Sequence, residues 1–244
     1  FDFSGYCDMA CGIANMFHLE LPVNFNSPYK AASILEFWQR WHITLTRFLR
    51  TYIYFPLGGS RKGKFRTMWN VLMVFLVSGI WHGAAWTFIL WGAVHGIANV
   101  LCRLFGNIWN KFPRFLRWAM TFVFVDLTWI IFRADSLRDA GILFGKLFKP
   151  WKWQVSGGLT EQFHLLEFTY VEEHVSFLGS FVSRFPTVHL LIVLSLALCL
   201  ALIPRNCHEK IFVPRAWNAL GSIVLLAWSV VSLSGLTTFL YFNF

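Results

Sequence analysis

The chain has 244 residues, of which 57% are hydrophobic, 19% aromatic and only 14% charged, and its net charge is +9. So apolar a composition excludes an ordinary soluble domain and marks an integral membrane protein. Nucleic acid is excluded as a partner as well, because the basic residues sit between apolar spans, where they suit cytoplasmic loops and anionic lipid headgroups.

The opening Phe1-Asp2-Phe3-Ser4-Gly5-Tyr6 has neither the basic n-region nor the long apolar h-region of a signal peptide, so the chain is expected to begin inside a longer protein. Residues 6–21 are apolar but interrupted by Asp8, Asn15 and His18, which suits a helix packed against other helices. Pro22, Asn24, Asn26 and Pro28 then form a loop. From Ser33, Ile34, Phe37, Trp38, Trp41, Leu45, Phe48, Leu49 and Tyr52 recur at helical spacing. They predict an amphipathic helix over about residues 33–55, lying in the membrane interface.

Residues 56–66 make a basic glycine turn that should face the cytoplasm. Gly58, Gly63 and Lys64 match part of a phosphate-binding loop. However, Phe65 stands where Ser or Thr would hold magnesium and no strand precedes the turn, so a headgroup-facing turn is the better reading.

Residues 68–102 contain no Asp, Glu, Lys or Arg. One straight helix here would be roughly 52 Å long at about 1.5 Å per residue, far beyond a hydrocarbon core of about 30 Å. The span must therefore tilt, break or turn back, with Gly79 and Gly83 as the expected breaks. Whether it crosses once or returns as a hairpin is left open by the flanking charges. Further spans are expected over 118–132, 188–203 and 217–240, with a long mixed loop over 151–185. The five cysteines form no CxxC pair, so no metal site is expected. The expected fold is all-α: one polytopic membrane bundle over residues 1–244 with an interfacial amphipathic helix and a broken or re-entrant span.

His82 lies inside the apolar span, and an ionisable group there marks a functional site by default. A neutral imidazole in such a setting can take a proton from a hydroxyl as a general base, the chemistry of acyl transfer to an alcohol. Trp81, Trp86, Asn70 and backbone freed at Gly83 are candidate donors to the oxyanion. The competing role for His82 is a buried imidazole that bonds a carbonyl and joins two helices. His42 either lines a cavity mouth or pairs with headgroups beside Arg40. His95 is an intermediate candidate, and the other histidines lie near span ends or in loops. A transporter or channel component with proton-relaying histidines is the alternative to an enzyme.

The blocks Phe1–Tyr6, Pro22–Pro28, Phe37-Trp38-Gln39-Arg40-Trp41-His42-Ile43-Thr44-Leu45, Tyr54–Gly59 and Gly79-Ile80-Trp81-His82-Gly83, with Thr128–Ala134 and Tyr241–Phe244, resemble the membrane-bound O-acyltransferase family. They look most like its bacterial, alginate-acetylating branch, and correspond to the C-terminal half of a longer member. Cys7 and Gln39 depart from the residues usual in that branch.

The resemblance implies that His82 is catalytic and His42 functionally important. It also implies an acyl group taken from a cytoplasmic thioester, acyl-CoA (acetyl-CoA) or an acyl carrier, and passed through the protein to a hydroxylated extracytoplasmic polysaccharide, with no bound cofactor. It suggests an extracytoplasmic acyl-handling partner protein and residence in the bacterial inner membrane as a multi-pass protein. The expected substrate-contacting set is Trp38, Arg40, Trp41, Asn70, Trp81, Gly83, Trp86 and His95.

Overall fold

In the computed structural model, residues 2–149, 184–209 and 215–232 are described. They fall into two compact units, Phe1–Lys149 and Pro150–Asn243.

The first unit opens with α1 (Asp2–Met16) and reaches a short 3-10 turn, Pro28–Lys30, through an extended loop. The amphipathic segment does not form one helix. It divides into α2 (Ile34–Arg40) and α3 (Ile43–Leu49), then widens into a π-helical turn, Arg50–Tyr54. At the division Trp41 is extended and His42 adopts left-handed backbone, φ 45° and ψ 54°. Neither residue is a helix breaker, and the cause is tertiary. The Asn26 N–H donates to the Arg40 carbonyl and the Ile43 N–H to the Asn24 carbonyl, so the preceding loop pairs with the chain across the break.

The basic glycine turn has positive φ at Gly58, Gly59 and Gly63, and α4 (Gly63–His82) follows it directly. Gly83 ends α4, and after two more residues α5 (Trp86–Leu104) runs back along it. The long apolar span is therefore a helical hairpin. Its two arms approach closely because they carry glycines where they touch, the small-residue packing usual in membrane bundles. A Cβ at Gly79 would stand 2.4 Å from the Phe88 carbonyl oxygen, and one at Gly92 2.4 Å from that of Phe75. Of the two expected breaks, Gly83 is the turn, whereas Gly79 stays helical and serves as a contact surface.

Next come α6 (Gly106–Trp109), α7 (Arg114–Arg133) and α8 (Leu137–Leu147); α7 packs on α5, and Ser136 caps α8 by accepting the Asp139 N–H. Two indoles tie this region back to the early loop. Trp109 Nε1 donates to the Ala32 carbonyl at 3.0 Å and Trp118 Nε1 to the Tyr29 carbonyl at 2.8 Å. The core gathers Ile34, Phe37 and Trp38 of α2 with Val71 and Phe75 of α4, Trp91 of α5, and Val125 and Ile131 of α7.

The second unit contains α9 (Pro186–Leu202) and α10 (Ala216–Ser232). Among the described residues, three segments are long and apolar enough to cross a membrane: Trp86–Leu104, Arg114–Arg133 and Thr187–Glu209. Large apolar side chains stay exposed along them, such as Phe115, Val123 and Leu191, as lipid contact requires. The expected span over 118–132 begins four residues earlier, at Arg114. Part of the expected 217–240 span and nearly all of the 151–185 loop lie outside the described residues. No strand occurs among the described residues, so the phosphate-loop match has no strand before it.

Candidate functional site

The break between α2 and α3 and the tip of the α4–α5 hairpin bring the two leading histidines into one aromatic-lined site. His82 is the last helical residue of α4 and is half-buried. Its ring meets Trp81 at 4.9 Å, Phe132 at 5.1 Å and Trp91 at 5.4 Å between centroids. His42 lies on the other side of Trp81, 6.4 Å from that indole, with Phe3 packed edge-on at 5.1 Å. Burial, with the nearby His82 adding to it, pushes the His42 imidazole down to about 4, so the ring is neutral at pH 7.

Asn24, buried in the loop before α2, organises the His42 side. Its Oδ1 lies 3.1 Å from His42 Nδ1 and accepts the Thr44 N–H at 3.2 Å and the Thr44 hydroxyl at 2.8 Å. Its Nδ2 donates to Cys7 Sγ at 3.3 Å, which fastens the loop to α1. Proline and asparagine spacing marks this stretch as a turn and gives no hint that one amide reaches the site. Trp91 is a second residue that sequence reasoning missed. It is 1% exposed, touches His82, and its indole N–H meets no acceptor among the described residues.

The remaining expected site residues separate by position. Trp81 and Trp86 are largely exposed near the hairpin tip, and Gly83 donates its N–H to the Ile80 carbonyl, which occupies that group. Asn70 is fully buried and donates to the Leu57 and Gly59 carbonyls, holding the glycine turn onto α4 three helical turns from His82. Both bonds use its amide Nδ2, so in this structure that group clamps the turn onto the helix. Arg40 pairs with Glu36 at 3.0 Å and donates to the Asn26 carbonyl, so it braces the break. Trp41 stacks on Phe37 and packs against Phe25 and Trp129 beneath the site.

His95 lies within the helix bundle with both ring nitrogens engaged. It is 1% exposed, and Trp38 Nε1 donates to its Nδ1 at 3.2 Å. The indole only donates, so the neutral ring carries its proton on Nε2 and gives it to Thr128 Oγ1 at 2.9 Å. The Thr128 hydroxyl in turn donates to the Val125 carbonyl at 2.7 Å. These bonds link α2, α5 and α7, and Trp38 is thereby fixed one turn before the His42 break.

A cavity of about 470 Å³ opens between α2, α3 and α4, its lining running from Arg50, Asn99 and Arg103 to Trp38 and Ser78. Ser78 stands one turn before His82 on the same helix. The cavity thus carries two arginines in its lining and comes within one helical turn of His82 at Ser78, while neither His82 nor His42 lines it.

A family model for MBOAT, the membrane-bound O-acyltransferase family, matches residues 1–137. A peptidoglycan O-acetyltransferase of Helicobacter pylori is 54% identical over 144 residues, covering 57% of this chain and 27% of that protein. A probable alginate O-acetylase AlgI of Pseudomonas aeruginosa is 45% identical over 159 residues, 64% of this chain and 30% of that protein. A teichoic acid D-alanyltransferase of Bacillus subtilis is 32% identical over 148 residues, 54% of this chain and 37% of that protein. The chain thus spans about a third, or less, of the length of the curated relatives it matches. With the family match over more than half of its residues and the helical, lipid-suited architecture that carries them, this chain belongs to the membrane-bound O-acyltransferase family.

Proposed function

We propose that the chain forms the histidine site of a membrane O-acyltransferase that moves an acetyl group from a cytoplasmic thioester, acetyl-CoA or an acyl carrier, to hydroxyls of an extracytoplasmic polysaccharide. One observation carries the reading. His82 and His42, far apart in sequence, share an aromatic-lined site on either side of Trp81, beside a cavity whose lining includes Arg50 and Arg103. In the proposed reaction an imidazole nitrogen of His82 takes the acceptor's hydroxyl proton while that oxygen attacks the thioester carbonyl. The C–O bond forms, the C–S bond breaks, and the departing thiolate recovers the proton from the imidazolium. Trp91 and Phe132 shield one side of the His82 ring from water, which would compete for the acyl group. Arg50 and Arg103 in the cavity lining suit a phosphate-bearing donor.

The relatives' names support this chemistry, since they specify acyl transfer connected with peptidoglycan, alginate and teichoic acid. They lend nothing to the transporter alternative. A polysaccharide acceptor, residence in the bacterial inner membrane as a multi-pass protein, and an extracytoplasmic acyl-handling partner complete the proposal.

The test is transfer of labelled acetyl from acetyl-CoA to envelope polysaccharide by the protein in lipid vesicles, with that partner supplied. His82→Ala should lower kcat by about 10²-fold or more, the range a positioned general base contributes, while donor binding persists. Equal transfer by both proteins would leave His82 with only a helix-packing role.

A further inference from the structure

Asn24 is a loop residue whose side chain makes contacts that a turn former does not need. Its Oδ1 faces three groups at once: the Thr44 backbone N–H, the Thr44 hydroxyl and His42 Nδ1. A backbone N–H only donates, which fixes the chemistry of the whole cluster. The Asn24 atom facing it must be the oxygen, because the reversed amide would set donor against donor. Cys7 Sγ on the other side accepts from Nδ2 and holds the amide in that orientation. An amide oxygen has no proton to give. The neutral His42 ring therefore carries its proton on Nδ1 and leaves the Nε2 lone pair available.

The backbone repeats the same arrangement. The Ile43 N–H donates to the Asn24 carbonyl, so main chain and side chain of one residue grip both sides of the left-handed His42. We propose that Asn24 is a positioning residue that sets the tautomer and orientation of His42, presenting Nε2 to the reacting groups. This role rests on the acyltransferase reading above, whereas the tautomer itself can be measured without any turnover. The titratable groups around His42 are His82 from α4 and Cys7 from α1, the latter through Asn24; Arg40 on α2 is engaged by Glu36.

The direct test is solid-state NMR of the ¹⁵N-histidine-labelled protein in lipid, with His42 assigned by comparison with His42→Gln. The wild type should show protonated Nδ1 and bare Nε2 at pH 7.5, and Asn24→Ala should scramble this pattern. A wild-type His42 protonated on Nε2 overturns the proposal, whether or not the protein transfers acetyl.

Activity provides the second arm. Asn24→Ala should lower kcat by about tenfold or more with KM little changed, below the full contribution of a positioned base. Asn24→Asp keeps the acceptor but adds a charge that favours the imidazolium, so it should retain folding and move the acid limb of the pH profile up by about one unit or more. If Asn24→Asp and the wild type share one pH profile, Asn24 does not act through His42 and the proposal fails. If His82→Ala also proves fully active, the acyltransferase reading fails separately, and the NMR result still stands on its own.

Discussion

At the scale of single residues, His42 combines three conditions seldom found together: left-handed backbone in a non-glycine residue, a ring pushed toward the neutral form, and a side-chain partner from a distant loop. Backbone of this kind costs an L-residue about 1–2 kcal/mol and persists only where surrounding bonds enforce it. The Asn24 and Arg40 backbone pairings supply that enforcement. Comparing His42→Gly with His42→Ala isolates the strain, because both lose the imidazole and only glycine accepts the conformation freely. His42→Gly should be the more stable of the two by about 1 kcal/mol, read from thermal unfolding in one detergent, while acyl transfer falls in both. Equal stability would mean that the left-handed turn is not strained at all.

At the scale of elements, the α4–α5 hairpin is a contact between two backbones more than between two sets of side chains. A methyl group at Gly92 would run into the Phe75 carbonyl of the opposite arm, and this backbone atom cannot rotate away. Gly92→Ala should therefore destabilise the protein by about 1–3 kcal/mol, the usual cost of overpacking. Gly141→Ala, where nothing stands within 4 Å, should be neutral or slightly stabilising by helix propensity. Equal melting temperatures for the two variants would contradict the close approach.

This also shows which elements the residue pattern made readable. An uncharged run too long for one crossing had to turn, and Gly83 marked where. Gly79 looked like a second break because an isolated glycine reads as a breaker until its partner across the hairpin is known. The amphipathic stripe marked buried positions at Ile34, Phe37, Trp38, Leu45 and Leu49, while its Phe48 and Tyr52 stay exposed, and it could not reveal the interruption at Trp41 and His42. That interruption comes from hydrogen bonds to residues 24–26, and no local propensity records it. Likewise His82 and His42 were legible as candidates from their surroundings. Asn24 and Trp91 were not, since the first resembles a turn former and the second one more core aromatic.

At the scale of the molecule, the hairpin removes an ambiguity that charge counting left open. With α5 returning along α4, the basic glycine turn before α4 and the basic stretch of residues 103–117 lie at the same end of the hairpin, while Arg133, Arg138, Lys146 and Lys149 lie at or beyond the far end of α7. A cytoplasmic placement of the first group is the expectation that labelling tests. Cysteines placed at Ser60 and Asn110 in a background lacking native cysteine should both react with an impermeant maleimide only when the cytoplasmic face is open. Labelling from opposite faces would rule out the hairpin as a membrane element.

The bonds around His95 bear on what kind of machine this unit can be. An indole that never accepts a proton closes the chain at one end, and a peptide carbonyl that has none to relay closes it at the other. As a proton wire it is cut at both terminals, and the imidazole buried in its middle is insulation. Among the described residues, the His95 chain therefore offers no onward path for a proton. That closed chain is what a tie between α2, α5 and α7 needs, and it does not itself form a relay from one side of the unit to the other.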